Sequence, residues 1–408
     1  MYRFHHTIVL AFVLASTPLR AEPAVIISLE SVGNRVRAEN PDLAAARLQI
    51  GEALGRMAQS GLLANPELET SFEHNPRFRE GRLEIEFSQR FPLTKRLQQE
   101  KEISLSTLRS AEAEVREVER QLIAHARETV VELLAARQRH ELLRAQATAA
   151  TQLSEFSAES AAKGEGSALD AGQAKLESAS LAIETRRLGA TEAELAGTLK
   201  SLLGMRPGEA INVSGNLPEP ELAAQAVTAS RRPDLQVAKF AATTAAHGVA
   251  LEYSRRYEDV EAGVFAAAER SEDVPEGYDN EAVIGLRFKV ALPLWNNNEG
   301  AIAQAEATLR RRELEVAALT RNIHLEAAAT LAEMAEWAAL VREISTDLLP
   351  LAAEQSALTE AAYRSGQSDI QSVLRSREKR LQLASSRLDA LREFHLARVR
   401  HEAAIAKN

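Results

Sequence analysis

The chain has 408 residues, a formal net charge of −9 and no cysteine. The lack of cysteine excludes disulfides and thiol catalysis, and we expect no lipid-anchored N-terminal cysteine. The negative charge argues against nucleic-acid binding. It would suit the handling of cations, although a solvated acidic exterior is its commoner cause.

Residues 1–21 predict a secretory signal. Arg3 gives a positive start, residues 7–15 form an apolar run, and residues 19–21 provide a plausible cleavage site. The apolar run is well short of the ~20 residues that a membrane helix needs, and no other stretch is long and apolar enough. We therefore expect an exported protein without a membrane-spanning helix.

The rest of the sequence is a duplication. Asn-Pro-Asp-Leu at 40–43 and Arg-Pro-Asp-Leu at 232–235 each open an alanine-rich helix, and later motifs recur in the same order. The later pairs are the Pro-Leu segments at Pro92 and Pro293 and the turns at Gly164 and Gly366. A repeat of about 200 residues is a duplicated module rather than a solenoid unit. We predict a first structural repeat at 22–215 and a second at 216–408.

In each repeat, a short helix is followed by two segments in which apolar and polar residues alternate, as in a strand with one apolar face. The segments lie at 67–74 and 82–91 in the first repeat and at 259–269 and 282–292 in the second. Each is near the ~9–11 residues of a tilted membrane strand. Two ordinary hairpins on a soluble sheet are the alternative for segments of this kind taken alone.

Long helices follow the strands. Residues 95–162 contain neither proline nor glycine, and their apolar residues recur at alternating spacings of three and four, which predicts a coiled coil. At 1.5 Å per residue this rod is about 100 Å long. The return helix, 169–203, covers only about half of it. We therefore expect the short helix at 41–63 to lie along the other half.

The second repeat predicts the same arrangement. A short helix at 233–257 precedes a rod at 300–363, and a return helix follows the turn at 364–369. Pro350 is expected to kink this rod about a quarter of its length from the turn. Four strands cannot close a membrane barrel, for which about eight is the minimum, so a membrane location requires several chains; three would supply twelve strands.

These features resemble the outer-membrane efflux factor family, which includes TolC. The resemblance covers nearly all of the chain after the signal. It rests on the paired Pro-Asp-Leu and Pro-Leu motifs and on the turn at 363–374, YRSGQSDIQSVL. It implies a mainly α fold with a small membrane β part, a TolC-like duplicated module. A homotrimer would form a twelve-stranded barrel among outer-membrane lipid, continuous with a periplasmic coiled-coil tunnel.

The resemblance also implies function. Residues 294–305, LWNNNEGAIAQA, and 348–350 resemble the CzcC-type branch, which serves heavy-metal efflux with an inner-membrane RND-type pump and a periplasmic adaptor protein. The implied cargo is a divalent cation such as cobalt, zinc or cadmium, or copper or silver. Multidrug or organic efflux and type I secretion are alternatives within the fold. A soluble periplasmic coiled-coil scaffold and an exported hydrolase are alternatives of other classes.

The sequence does not support catalysis or a cofactor. His140-Glu141 and His401-Glu402 lack the second histidine of a HExxH zinc site, and no Ser, His and Asp constellation can be read. The glycine turn at 164–166 lacks the strand and lysine of a phosphate loop. We expect no catalytic, cofactor or metal site.

The turns at the ends of the rods are the main candidates for function, because a periplasmic adaptor would dock there. The simpler interpretation is that their glycines only reverse the chain. Better-known members place aspartates six and nine residues after the tip glycine, where this chain has Ser372 and Arg375, so the sequence does not predict an acidic constriction ring. The candidate adaptor-contacting or gating residues are Lys163, Gly164, Glu165, Asp170, Arg364, Gly366, Asp369, Ser372 and Arg375.

Charged residues of the strands are candidates for lining a pore, and a solvated face without selectivity is the alternative. The candidate pore-lining residues are Glu84, Glu86, Arg90, Arg287 and Lys289. Aromatic residues could form a belt at the bilayer edge. The candidate belt residues are Phe72, Phe87, Phe91 and Trp295.

Overall fold

A computed structural model describes residues 25–222, 231–273, 275 and 277–407, and the signal expected at 1–21 lies outside these residues. The described elements follow one another as β1 (Val25–Ile27), α1 (Val32–Glu39), α2 (Pro41–Gln59), β2 (Glu67–His74), β3 (Gly81–Phe91), α3 (Arg96–Ala162), α4 (Ala168–Leu202), β4 (Ile211–Val213), α5 (Pro233–Ser254), β5 (Val260–Asp273), β6 (Gly277–Lys289), α6 (Glu299–Glu343), α7 (Leu349–Arg364) and α8 (Ile370–Ala404).

The helix α3 is the axis of the helical part. In its first half it packs between α2 and α5, and in its second half between α4 and α8. The helix α6 likewise packs along α5 and then along α8. Each long helix therefore lies beside two shorter helices placed end to end, which is the arrangement predicted from their lengths.

The two Pro-Asp-Leu segments start their helices by different means. The Asn40 side chain accepts a hydrogen bond from the Leu43 amide at 2.8 Å and donates one to the Leu202 carbonyl at 2.8 Å. Asn40 therefore caps α2 and ties it to the end of α4. Arg232 provides no cap; its buried guanidinium lies 2.7 Å from Asp234 and contacts α6 instead.

The second rod is not one continuous helix. A π-helical turn at Ile344–Leu348 separates α6 from α7 and lies directly before Pro350. Proline has no amide hydrogen to donate four residues back, and its ring crowds that carbonyl, so the helix widens there. A kink was expected at Pro350; the structure has a π turn just before it, and the helical run continues through this turn from Glu299 to Arg364.

The strands β2, β3, β5 and β6 form one antiparallel sheet in that order. Two strands differ from their predicted ranges. The hairpin of β5 and β6 extends to Asp273 and Gly277, through polar residues that period-2 hydropathy cannot detect. At its other end, β6 stops at Lys289 rather than at 292, because β5 begins at Val260 and leaves little strand to pair with.

A small unit at mid-length was not predicted from the sequence. Strands β1 and β4 pair in parallel, and with α1 they cover the middle of α3 and the end of α4. Three-residue strands carry too few residues for a periodic signal. The largest core of the described residues lies here and includes Ile27, Val32, Ile123, Val130, Leu199, Leu203 and Val213.

Candidate functional site: an inside-out sheet and two helical tips

The four-stranded sheet exposes its apolar face, while the middle of its polar face is covered on β3. On β3, Leu83, Ile85 and Phe87 are 47%, 47% and 52% exposed, whereas Glu86 and Ser88 on the opposite face are 7% and 8% exposed. A sheet in a soluble protein does the reverse, with its apolar face packed on a core. The sheet therefore suits an apolar environment at one face and a polar environment at the other.

Ion pairs cover the polar face. The Arg287 guanidinium crosses from β6 to β3, where it lies 2.7 Å from Glu84 and also contacts Glu86, while Arg82 lies 2.6 Å from Glu84. The intervening strand has Gly263 at the crossing point, where a Cβ atom would lie 2.8 Å from a carboxylate oxygen of Glu86. The missing side chain thus makes room for the bridge.

A second glycine accommodates an aromatic ring. Phe265 lies opposite Gly285 in the register, and a Cβ atom at Gly285 would lie 2.5 Å from the ring. The Arg287 guanidinium carbon lies 5.0 Å from the ring centroid, within cation–π distance. The alternation of apolar residues along β5 does not indicate Phe265, because its ring lies on the opposite, polar face; the strand glycines were the available signal.

The strand register places the five candidate pore-lining charges on this one polar face. Arg90 lies 3.2 Å from Glu67 and 3.5 Å from Glu261. Lys289 lies opposite Glu261, and no ion pair of Lys289 occurs within the described residues. Their placement agrees with a shared polar face, while a role in lining a pore stays a prediction.

The apolar face is continuous across all four strands. Its exposed large residues are Leu68, Phe72, Leu83, Ile85, Phe87, Phe91, Val264, Ile284, Leu286 and Phe288. Trp295, which is 93% exposed, follows β6 near the end of the sheet that carries Phe91. An apolar surface of this extent marks contact with a membrane or a partner.

The two helical tips have the same backbone geometry. Gly164 and Gly366 have φ angles of 77° and 75°, a left-handed conformation that glycine adopts without strain. In the first tip, the Glu165 amide donates to the Ser160 carbonyl at 2.9 Å; the second tip repeats this six-to-one bond. Both are Schellman motifs that close one helix before the next begins.

Each return helix is capped three residues after its tip glycine. The Ser167 side chain accepts from the Leu169 amide at 3.1 Å, and the Asp369 carboxylate accepts from the Ser372 amide at 2.7 Å. Hydrogen bonding to Ser372 lowers the pKa of Asp369 from its ordinary value. Asp170 lies in the first turn of α4, where the helix dipole favours an acidic group.

The other candidate tip residues are exposed and paired locally. Lys163 lies 2.6 Å from Glu159, and Arg364 lies 2.8 Å from Glu360. The Arg375 Nε donates to a carbonyl of its own helix. These side chains are available to a partner, and their role in docking or gating stays a prediction.

Contacts between α3 and the second tip were not predicted. The Tyr363 hydroxyl lies 3.3 Å from the Ser157 hydroxyl, and Leu153 packs against Ile370. Arg377 donates to the Ala149 carbonyl at 3.1 Å. The two tips are thus joined by polar and apolar contacts close to their turns.

Neither a metal cluster nor a bilayer-crossing helix is found where the structure describes the chain. No three or more His, Cys, Asp or Glu side chains converge as ligands there. No described helix has both the length and the hydropathy of a membrane span.

The fold is one that outer-membrane channels share. The structure of CusC, which forms a transmembrane channel, matches with a TM-score of 0.79 and 15% identity over 92% of this chain and 91% of that chain. A membrane protein from Pseudomonas aeruginosa matches with a TM-score of 0.77 and 16% identity over 92% of this chain and 93% of that chain. The outer membrane protein VceC from Vibrio cholerae matches with a TM-score of 0.75 and 18% identity over 92% of this chain and 95% of that chain.

These similarities confirm the TolC-like fold that was expected from the sequence. Comparisons with family models and with curated proteins gave no match.

Proposed function

We propose that the chain is the outer-membrane channel of an efflux system, a passive exit duct built from three copies. The observation that carries this proposal is the inverted sheet, with its apolar face exposed and ion pairs across the middle of its polar face. A transmembrane barrel requires that inversion, because lipid surrounds it and water fills it. A soluble periplasmic scaffold would leave the exposed apolar face without a function.

The number of strands requires several chains. Each chain contributes four strands with open edges, and a closed barrel needs about eight or more. Three copies would give twelve strands, and the long helices that continue from them would form a tunnel in the periplasm. The similarity in fold to outer-membrane channels supports this assembly.

The helical tips are proposed to meet a periplasmic adaptor, which would connect the duct to an inner-membrane pump of the RND type. Their exposure and their position farthest from the sheet support this assignment. We further propose heavy-metal cations as cargo, because residues 294–305 resemble the CzcC-type branch. Organic efflux and type I secretion would use the same fold.

Single-cysteine labelling tests the membrane location, and the cysteine-free chain makes it direct. In proteoliposomes, Leu286→Cys on the apolar face should resist a water-soluble maleimide, whereas Glu69→Cys on the polar face should react. Equal labelling of both positions in the lipid-embedded protein would overturn the proposal.

Metal tolerance tests the cargo. Deletion of the gene should sensitise cells to one or more of cobalt, zinc, cadmium, copper and silver, and the wild-type gene should restore tolerance. Sensitivity to organic compounds alone, with unchanged metal tolerance, would favour organic efflux instead.

A further inference from the structure

The sheet has two open edges, formed by β2 and β6. Every residue of β2 except Ser71 is exposed, and every residue of β6 except Gly285 is exposed. Unpaired strand edges are templates for another strand. Since each strand of the sheet is antiparallel to the next, β6 of one copy would run antiparallel to β2 of a neighbouring copy around a ring.

The polar faces of these edge strands carry opposite charges at one end of the sheet. On β2 the polar face carries Glu67 and Glu69 towards the helical part and Glu73 towards the hairpin, and on β6 it ends with Arg287 and Lys289. The start of β2 and the end of β6 both adjoin the helical part of the chain. Carboxylates and cations would therefore meet at the same level of the seam between two copies.

Three of these charges are not engaged within the chain. Lys289, Glu69 and Glu73 form no ion pair among the described residues, whereas Glu67 is paired with β3 and Arg287 contacts β3. Lys289 is thus a cation at an open edge, and the opposite edge has two carboxylates to receive it.

Barrel geometry determines which residues meet. Lys289 lies opposite Glu261, and Glu261 lies opposite Arg90. Extended by the register of β2 and β3, this line of paired residues meets β2 of the same chain at Asn65. In a barrel the strands are tilted by about 35–45°, with a spacing of about 4.8 Å and a rise of about 3.4 Å per residue. A line of paired residues that crosses four strands therefore meets the next copy of β2 about four to six residues away from Asn65. A shift away from the hairpin would place Lys289 opposite residues 59–61, which precede β2, so the shift runs towards the hairpin end of the next β2. Matched apolar faces allow only even shifts.

A shift of about four residues puts Glu69 of the next copy opposite Lys289. A shift of about six puts Ser71 opposite it, with Glu69 and Glu73 on the two diagonals, still within reach of a long side chain. We propose that Lys289 of one copy forms an ion pair with Glu69 of its neighbour, with Glu73 as a second acceptor at the larger shift. This pair rests on the proposed assembly of several chains in one barrel.

Cross-linking of the variant Glu69→Cys, Lys289→Cys tests the seam. Within one chain the two positions lie three strand spacings apart, at least about 14 Å, so a short bis-maleimide joins only neighbouring copies. We expect covalent dimers and trimers on denaturing gels. The control Glu69→Cys, Lys379→Cys places the second thiol on α8 and should remain monomeric.

The outcomes separate the ion pair from the assembly. Monomers alone on the gel, from a sample whose native mass is that of three chains, would overturn the seam and leave the channel standing. A wild-type sample of single chains in detergent would overturn the proposed assembly itself.

Charge reversal gives a second readout. Lys289→Glu and Glu69→Lys should each lower the temperature at which the detergent-solubilised assembly dissociates, because like charges then face each other at every seam. The double variant should recover at least half of the loss, while Lys379→Glu should change nothing. No recovery in the double variant would contradict the pair.

Discussion

At the scale of single residues, two buried histidines of α8 each keep one ring nitrogen without a hydrogen-bond partner. His395 Nε2 lies 2.8 Å from the Pro218 carbonyl, and its Nδ1 is buried and unpaired. His401 Nδ1 lies 3.1 Å from the Thr330 hydroxyl, and its Nε2 is unpaired. Burial lowers the pKa of His395, so its ring is neutral in the folded protein at neutral pH.

This lowered pKa predicts sensitivity to acid. Below about pH 6.5 an unfolded histidine binds a proton that folded His395 rejects, so stability falls as the pH drops through that value. His395→Gln removes the titrating group. The decrease in thermal-unfolding temperature between pH 7.5 and 5.5 should be smaller in this variant than in wild type. The exposed His324→Gln is the control, and an equal decrease in all three proteins would contradict the prediction.

We predict that position 204 tolerates no residue other than glycine. Its φ angle is 64°, and a Cβ atom there would lie 2.3 Å from the Glu39 carbonyl oxygen. Gly204→Ala should destabilise by about 2 kcal/mol or more, because a left-handed alanine costs about 1–2 kcal/mol before the clash is counted. The exposed helical Gly197 has no atom within 4 Å of its Cβ position. Gly197→Ala should be neutral or stabilising in the same denaturant titration.

At the scale of elements, the return helix α8 depends on its cap. Asp369→Ala removes the acceptor for the Ser372 amide and should destabilise the first turn of α8 by about 1 kcal/mol. The amides of this turn should then exchange roughly fivefold faster. Asp369→Asn retains an acceptor and should exchange like wild type. Hydrogen exchange over residues 370–373 measures both variants; fast exchange in the Asn variant would indicate that charge, rather than capping, matters.

The helices and strands were predictable where a long period repeats. The range of α3 follows from its unbroken heptads, and the ranges of β2 and β3 follow from alternation, whereas the hairpin ends of β5 and β6 lie beyond the alternating segments. The π turn before Pro350 was not predictable, because a proline predicts a kink without specifying its geometry. The unit of β1, α1 and β4 is held together by contacts between segments far apart in sequence, which local periodicity does not record.

The candidate site was predictable to the same degree. The shared face of Glu84 and Arg287 follows from parity along each strand, but the bridge between them depends on the strand order and on Gly263. The contact of Tyr363 with Ser157 depends on the packing of α3 against the second tip. Both need the tertiary structure, because the partners are distant in the chain.

At the scale of the whole molecule, the single chain exposes far more surface than a folded monomer should. Its solvent-accessible area is 26112 Å², against about 15,600 Å² expected for a compact monomer of its mass. The excess includes the apolar sheet face and the sides of the long helices. In the proposed assembly, neighbouring copies and lipid would cover this excess.

The most direct test of this account is planar-bilayer conductance of the detergent-purified protein, with the oligomer mass measured on the same sample. We predict particles of three chains that produce discrete channel openings. A water-soluble single chain or dimer that never conducts would contradict it.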